Sequence, residues 1–540
     1  MKLGVIFGGN LWRRSSRIRF VWLFFAAAMI MSLPTDPAAG ALSATEERGK
    51  EIYLTGNSPS GRDITALVGQ GLVPTPGSGL PCGTCHGPDG LGRPEGGVVP
   101  SNITWGYLTK PYGTVSWDGH LRSTYTPDTL GRAIMLGIDS AGNYLNVSMP
   151  RYRIEREDFG DLLAYLKRIE TYLDPGLSEE RIILGTLVPS TGPLQSLGQA
   201  MRAVVEAQLD EINAQGGVYG RKLELEVREA DGKTAILEEA KKLGKRAFAL
   251  VSVLTAGVDD EYAELVEAEG IPTIGPYTVF NRDQDSLQRF SFHLYGGLSI
   301  QSRVLVEYAA RKLGGQKPRS AVLYLAGPQW AAIAEALQVQ ALANGWQSPL
   351  RIQYASDRMN AGELATRLKD DQVQAVFFFG GPRELLSLAG EAEQSAWAPY
   401  LFLSGPLASK EIFELPAIFQ DKIFLAYPTV PSDHTQAGVV KFSALQRRRG
   451  LTQQHLLAQI GAYSATKILV EGLKRTGRAL SREKLIGALE KIYEYETGLT
   501  PKLTYGPNRR VGSLGAYVVS VDLEKQAFRA ASEWVELKQR

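Results

Sequence analysis

Apolar and polar positions change rhythm twice along this chain. Phe20 to Leu33 is an apolar run, interrupted only by Ser32, preceded by the basic Arg13-Arg14-Ser15-Ser16-Arg17-Ile18-Arg19 and followed by small residues around Ala39-Gly40-Ala41. Basic, then apolar, then small is the order of a secretory signal peptide, and the run is shorter than the about 20 residues that a spanning helix needs. Residues 1–41 are assigned to that signal; an uncleaved anchor is the other reading. From Leu42 to about Leu173 helical patterns flank an irregular middle. The first helix is expected in Ala44–Tyr53 behind a Thr cap. A second over Thr129–Met135 is capped by Asp128. A closing helix runs from Glu155 to about Ile169 with Phe159, Leu162, Leu163, Leu166 and Ile169 on one face. Gly87 to Pro127 has little periodicity, and loops of that length are uncommon unless functional.

The rhythm changes again near Thr171–Ser178, which reads as a linker, assigned to 174–180. Beyond it, strand-like runs alternate with helical patterns. Strands are expected at Arg181–Val188, Lys222–Arg228, Ala247–Leu254, Ile271–Ile274, Ser320–Ala326, Ala375–Phe379 and Tyr400–Leu403, with helices such as Gly198–Ala214 between them. Alternation of this kind predicts parallel sheets covered by helices on both faces. Ligands of such sheets sit at the carboxyl ends of strands. The loops there include Pro189–Pro193, Thr255-Ala256-Gly257 and Gly275-Pro276-Tyr277-Thr278. Taken singly, Gly/Ser/Thr loops of this kind also serve as ordinary helix caps.

A chain of 540 residues holds more than one domain, and its net charge of +2 gives no bulk field to gather nucleic acid. The two cysteines are the whole thiol inventory, and both lie in Pro81-Cys82-Gly83-Thr84-Cys85-His86. Cys-x-x-Cys-His is the attachment sequence of c-type haem: two thiols on one helical turn reach the two vinyl groups of one porphyrin, and the next histidine faces the iron. A structural zinc site needs further Cys/His ligands, and a redox dithiol belongs at a strand-to-helix junction. This pair instead follows Pro74, Pro76 and Pro81 in a loop.

With Arg132-Ala133-Ile134, Gly137-Ile138-Asp139 and Ser148-Met149-Pro150-Arg151-Tyr152, residues 42–173 resemble a class I cytochrome c domain. The resemblance implies a small all-α fold, one covalent haem c held by Cys82 and Cys85, and axial iron ligands His86 and Met149. Met135 and His120 are the alternatives to Met149. His/Met ligation leaves no open position at the iron, which points to electron transfer.

Residues 181–540 resemble a type I periplasmic solute-binding protein of the branched-chain amino acid group. The matching text is Ile183-Leu184-Gly185, Thr191-Gly192-Pro193, Asn213-Ala214-Gln215-Gly216-Gly217 with Gly220-Arg221-Lys222, Glu269-Gly270-Ile271-Pro272, Gly275-Pro276 and Gly380-Gly381. This implies two α/β lobes around a hinged cleft. The family's amino-acid-recognising positions fall here on Leu197, Ala256, Val279 and Leu407. A buried α-ammonium group without a carboxylate is costly, so the expected ligand is a small organic molecule other than a standard amino acid. Thr255, Tyr277 and Trp330 are the candidate cleft residues.

The expectation is thus a multi-domain, non-enzymatic periplasmic protein. In one reading it transfers electrons with a periplasmic dehydrogenase or another cytochrome while its receptor domain holds a small ligand. In the other it is a transport or sensing receptor serving an ABC permease, with the haem secondary. His120, His293, His434 and His455 lie in unrelated contexts and form no catalytic arrangement.

Overall fold

The computed structural model describes residues 42–537 apart from 93, 95, 96, 116–118, 282–287, 315, 316 and 409. The signal assigned to 1–41 lies outside the described residues.

The N-terminal domain contains helices α1 (Ala44–Thr55), α2 (Cys82–His86), α3 (Trp105–Leu108), α4 (Pro127–Leu136) and α5 (Arg156–Arg168). Helices α1 and α5 approach closely because Gly49 lacks a side chain: a Cβ there would stand 2.0 Å from the Asp161 carbonyl oxygen. Arg48 then grips both oxygens of the Asp161 carboxylate at 2.7 and 2.8 Å. Ile52, Tyr53, Leu162, Tyr165 and Leu166 are buried beneath this crossing.

Two helix starts differ from the expected ones. Helix α1 is capped by Ser43, not Thr45. The Ser43 hydroxyl accepts the Glu46 N–H, and the Glu46 carboxylate accepts the Ser43 N–H, a reciprocal box. Helix α4 is capped by Thr126, not Asp128, because Pro127 takes the first helical turn, where its missing N–H costs nothing. The domain is also not all-α. Thr65–Val68 pairs antiparallel with Val73–Pro76 and with Arg151–Arg153, and Tyr152 turns into the core. The region 87–127 holds α3 and a two-stranded hairpin, Thr114–Val115 with Leu121–Arg122.

Residues 174–180 are packed rather than a solvated spacer. Leu177 enters the core of the next domain, and the Ile183 N–H donates to the Gly176 carbonyl at 2.7 Å.

The rest of the chain makes two lobes. The first has a parallel sheet in the order Val511–Ser513, Ser291–Tyr295, Thr273–Ile274, Ala249–Val251, Arg181–Val188 and Lys222–Glu229. The second runs Leu350–Tyr354, Ser320–Leu325, Ala375–Phe379, Tyr400–Ser404 and Ile423–Tyr427 in parallel, then Gly515–Asp522 and Ala527–Ala530 antiparallel. Near-continuous apolar strands such as Ala375–Phe379, buried throughout, suit a sheet covered on both faces. The chain crosses between lobes after Tyr295, after Tyr427 and at Leu514.

Candidate haem cavity and interlobe cleft

The irregular region and the two helical ends of the N-terminal domain enclose one apolar cavity of about 230 Å³. Cys82, Cys85 and His86 from α2 line it, as do Met149, Leu130, Ala133 and Ile134 from α4 and its following loop, and Leu162 and Leu166 from α5. All four residues expected to hold a haem therefore reach one space. Met135 is on α4 but not among the lining residues, and neither is His120.

His86 is buried, and its Nδ1 lies 2.8 Å from the Ser101 carbonyl. Engaging Nδ1 as a donor leaves Nε2 as the ligating nitrogen. Burial holds the imidazole below its usual range, against the opposing pull of the Ser101 carbonyl, so it stays in the neutral form that ligates. On the other side, the Arg151 guanidinium donates to the Met149 carbonyl and, at 2.8 Å, to the Leu145 carbonyl. This braces the Leu145–Met149 turn from behind. Burial pushes the Cys82 thiol up to about 12, the reverse of what a reactive dithiol needs. Among the described residues no three of His, Cys, Asp and Glu converge to hold a metal ion, so a zinc site has no ligand set. Two thiols, a tautomer-fixed imidazole and a thioether around an apolar space are a donor set that fits haem c.

In the two-lobed region, Thr255 and Tyr277 lie on adjacent segments. The Thr255 N–H faces the Tyr277 carbonyl at 3.4 Å, and the Tyr277 N–H donates to the Val253 carbonyl at 2.7 Å. Three residues on, Phe280 meets Trp330 edge-on with ring centroids 5.0 Å apart. Trp330 opens the helix Pro328–Ala343, and both rings pack on the core of the second lobe. The Thr255 hydroxyl is buried and donates to Asp259 at 2.7 Å, which makes it part of a helix start rather than a free ligand donor. Burial raises the Asp259 carboxyl, with the Thr278 and Thr255 hydroxyls pulling it back. In the first loop, Asp231 accepts from the backbone and hydroxyl groups of both Ser190 and Thr191.

Of the positions where the family's amino-acid contacts fall, Leu197 packs on the core of the first lobe, and Val279 and Leu407 pack on that of the second. Leu407 also lines a small apolar recess with Gly380 and Gly381. Sequence reasoning missed Tyr295, which ends a strand at the first crossing and whose buried hydroxyl has no hydrogen-bond partner. It also missed Ser101 and Arg122, which have no periodic signal around them.

Residues 181–527 match the family described as periplasmic binding protein. The Leu/Ile/Val-binding protein BraC3 of Rhizobium johnstonii is 24% identical over 339 residues, 61% of this chain and 89% of that protein. Leu/Ile/Val-binding protein homolog 3 of Brucella melitensis biotype 1 is 23% identical over 330 residues, 60% of this chain and 87% of its own. Among solved structures, the fatty acid ABC transporter substrate-binding protein from Thermomonospora curvata has a TM-score of 0.55 at 17% identity, over 68% of this chain and 95% of its own. A branched chain amino acid ABC transporter from Thermus thermophilus with bound valine has a TM-score of 0.54 at 16% identity, over 67% and 98%. With two α/β lobes joined by three crossings and a family match over most of its length, this chain belongs to the periplasmic binding protein family.

Proposed function

We propose that the protein is a periplasmic solute receptor of the ABC-transporter type, non-enzymatic, whose cleft takes a small organic ligand other than a standard amino acid. The ligand class is supported by Leu197, Val279 and Leu407, the apolar residues at the positions where the resemblance puts amino-acid contacts; each packs on a lobe core and none offers a partner to a charged end. The Thr255 hydroxyl is already donated to Asp259 and is not a free donor for a ligand. The receptor would deliver to a permease or a sensing partner in the membrane. Thermal melting with panels of amino acids, carboxylic acids, alcohols and amides tests this, since a ligand that binds only the folded state raises Tm. Stabilisation by leucine, isoleucine or valine alone would overturn the ligand class.

A second reading concerns the N-terminal domain: it carries one covalent haem c on Cys82 and Cys85, ligated by His86 and Met149, and exchanges electrons with a periplasmic dehydrogenase or cytochrome. The convergence of these four residues on one cavity favours it. Expression with c-type maturation machinery should give a chain that keeps haem on a denaturing gel, and Cys82→Ser with Cys85→Ser should lose it. A wild-type chain without covalent haem would overturn this reading.

A further inference from the structure

The cavity is lined almost wholly by apolar and neutral groups, and among its described lining residues Arg122 is the one permanently charged side chain. A guanidinium at the wall of an apolar space must be paired or pay a desolvation cost. Its internal pairing is incomplete. One terminal nitrogen, Nη1, donates to the Ser101 hydroxyl at 2.7 Å. Nε is buried and has no hydrogen-bond partner. Nε makes only a long ion pair with the Asp139 carboxylate, at 3.7 Å and beyond hydrogen-bond reach. Asp139 is itself already occupied, accepting from the Ala141 N–H at 2.9 Å, the Asn143 N–H at 2.8 Å and the Asn143 amide at 3.1 Å. Arg122 thus has spare donor capacity in a space whose other walls offer a bound anion no charge.

We propose that Arg122 is the carboxylate anchor of this cavity, pairing with a carboxylate of the bound porphyrin and so fixing how that ring is seated. The inference rests on the haem reading above. Guanidinium suits the task because its planar fork meets a carboxylate through two parallel hydrogen bonds. Arg122 also holds Ser101, whose carbonyl faces His86 Nδ1, so one side chain positions both the edge of the ring and the support of its axial ligand.

Two measurements test the proposal on the full-length chain. In the first, wild type, Arg122→Gln and Arg122→Lys are matured with haem and their midpoint potentials compared. Removing a cation from the cavity wall favours the more positive oxidised state of a bound iron, so Arg122→Gln should lower the potential and Arg122→Lys should restore most of it. An unchanged potential in a haem-loaded Arg122→Gln overturns the anchor while leaving the haem reading intact. In the second, wild-type chain made without maturation is titrated with haemin and with its dimethyl ester, which lacks the carboxylates. Haemin should bind at least tenfold more tightly; equal binding overturns the anchor even if Arg122→Gln fails to fold. A chain that binds neither and never carries covalent haem overturns both readings together.

Discussion

The carboxylate of Asp174 accepts the main-chain N–H of Arg482 at 2.6 Å. It thereby joins the end of the N-terminal domain to the first turn of Arg482–Leu489 in the first lobe. The Arg482 side chain goes the other way, into the lobe, and donates to the carbonyls of Phe248, Gly270, Gly244 and Ala247 at 2.6–3.2 Å. Nearby, Lys484 pairs with Asp89 at 3.1 Å, in the loop just after His86. Arg482→Met should therefore cost about 3–5 kcal/mol, because four buried carbonyls lose a charged donor. Lys484→Ala should cost less than about 1 kcal/mol, since that pair is partly solvated. Urea unfolding of the two variants checks the ranking; equal losses would sink it.

Arg151 carries a prediction about the methionine side of the cavity. Its guanidinium supports the carbonyls of Met149 and Leu145. Arg151→Met removes both donors and should destabilise the N-terminal domain by about 2–3 kcal/mol. In the haem-loaded chain it should also weaken the absorption signature of methionine-ligated ferric iron. Retention of that signature with unchanged melting would mean that the turn does not depend on Arg151.

Gly49→Ala tests the helix crossing. A methyl group 2.0 Å from the Asp161 carbonyl oxygen can be accommodated only by moving α1 off α5. A loss of about 1–3 kcal/mol is expected, in the range of overpacked cores. Because Cys82 and His86 pack beside α1, haem incorporation should fall in parallel. An alanine variant as stable as wild type would contradict the close approach described above.

His293 sets an acid limb. Its imidazole is buried, its Nε2 has no partner, and burial pulls it down from the usual 6.5 to about 4. The unfolded chain takes up this proton near pH 6.5 and the native protein only near pH 4. Stability from this group is therefore complete above pH 6.5 and is lost as pH falls toward 4, by about 2–3 kcal/mol at pH 4.5. His293→Leu should flatten that part of the pH–stability curve. Equal slopes for wild type and variant between pH 7 and 4.5 would rule it out.

Much of this architecture is legible in the residues. The strand Ala375–Phe379 coincides with its apolar run, because a fully buried parallel strand leaves an unbroken signal, and Arg181–Val188, buried over most of its length, is nearly as clear. The Cys82–His86 helix follows from a motif whose spacing is its chemistry. Caps were misplaced where a better partner stood nearby: Ser43 with Glu46 has the three-residue spacing of a capping box, and that signal outranks Thr45. Thr255 misleads for a related reason. A hydroxyl four residues before Asp259 can satisfy the helix start itself, and burial then takes it away from any ligand. Arg122 and Ser101 carry no such signal because they stand 21 positions apart in aperiodic chain and only the folded loop makes them neighbours.

The third crossing between the lobes deserves a mechanical reading. Val511–Ser513 belongs to the sheet of the first lobe and Gly515–Asp522 to that of the second, with Leu514 alone between them. Leu514 is itself buried in the core of the second lobe. One residue of chain, itself held in a core, keeps the edges of the two sheets within a single residue's reach of each other at this crossing. The N-terminal domain is fastened to the first lobe through Asp89 and through the packed linker residues Asp174 and Leu177. Among the described residues, the Cys82–His86 cavity is therefore tied to the second lobe only by way of the first.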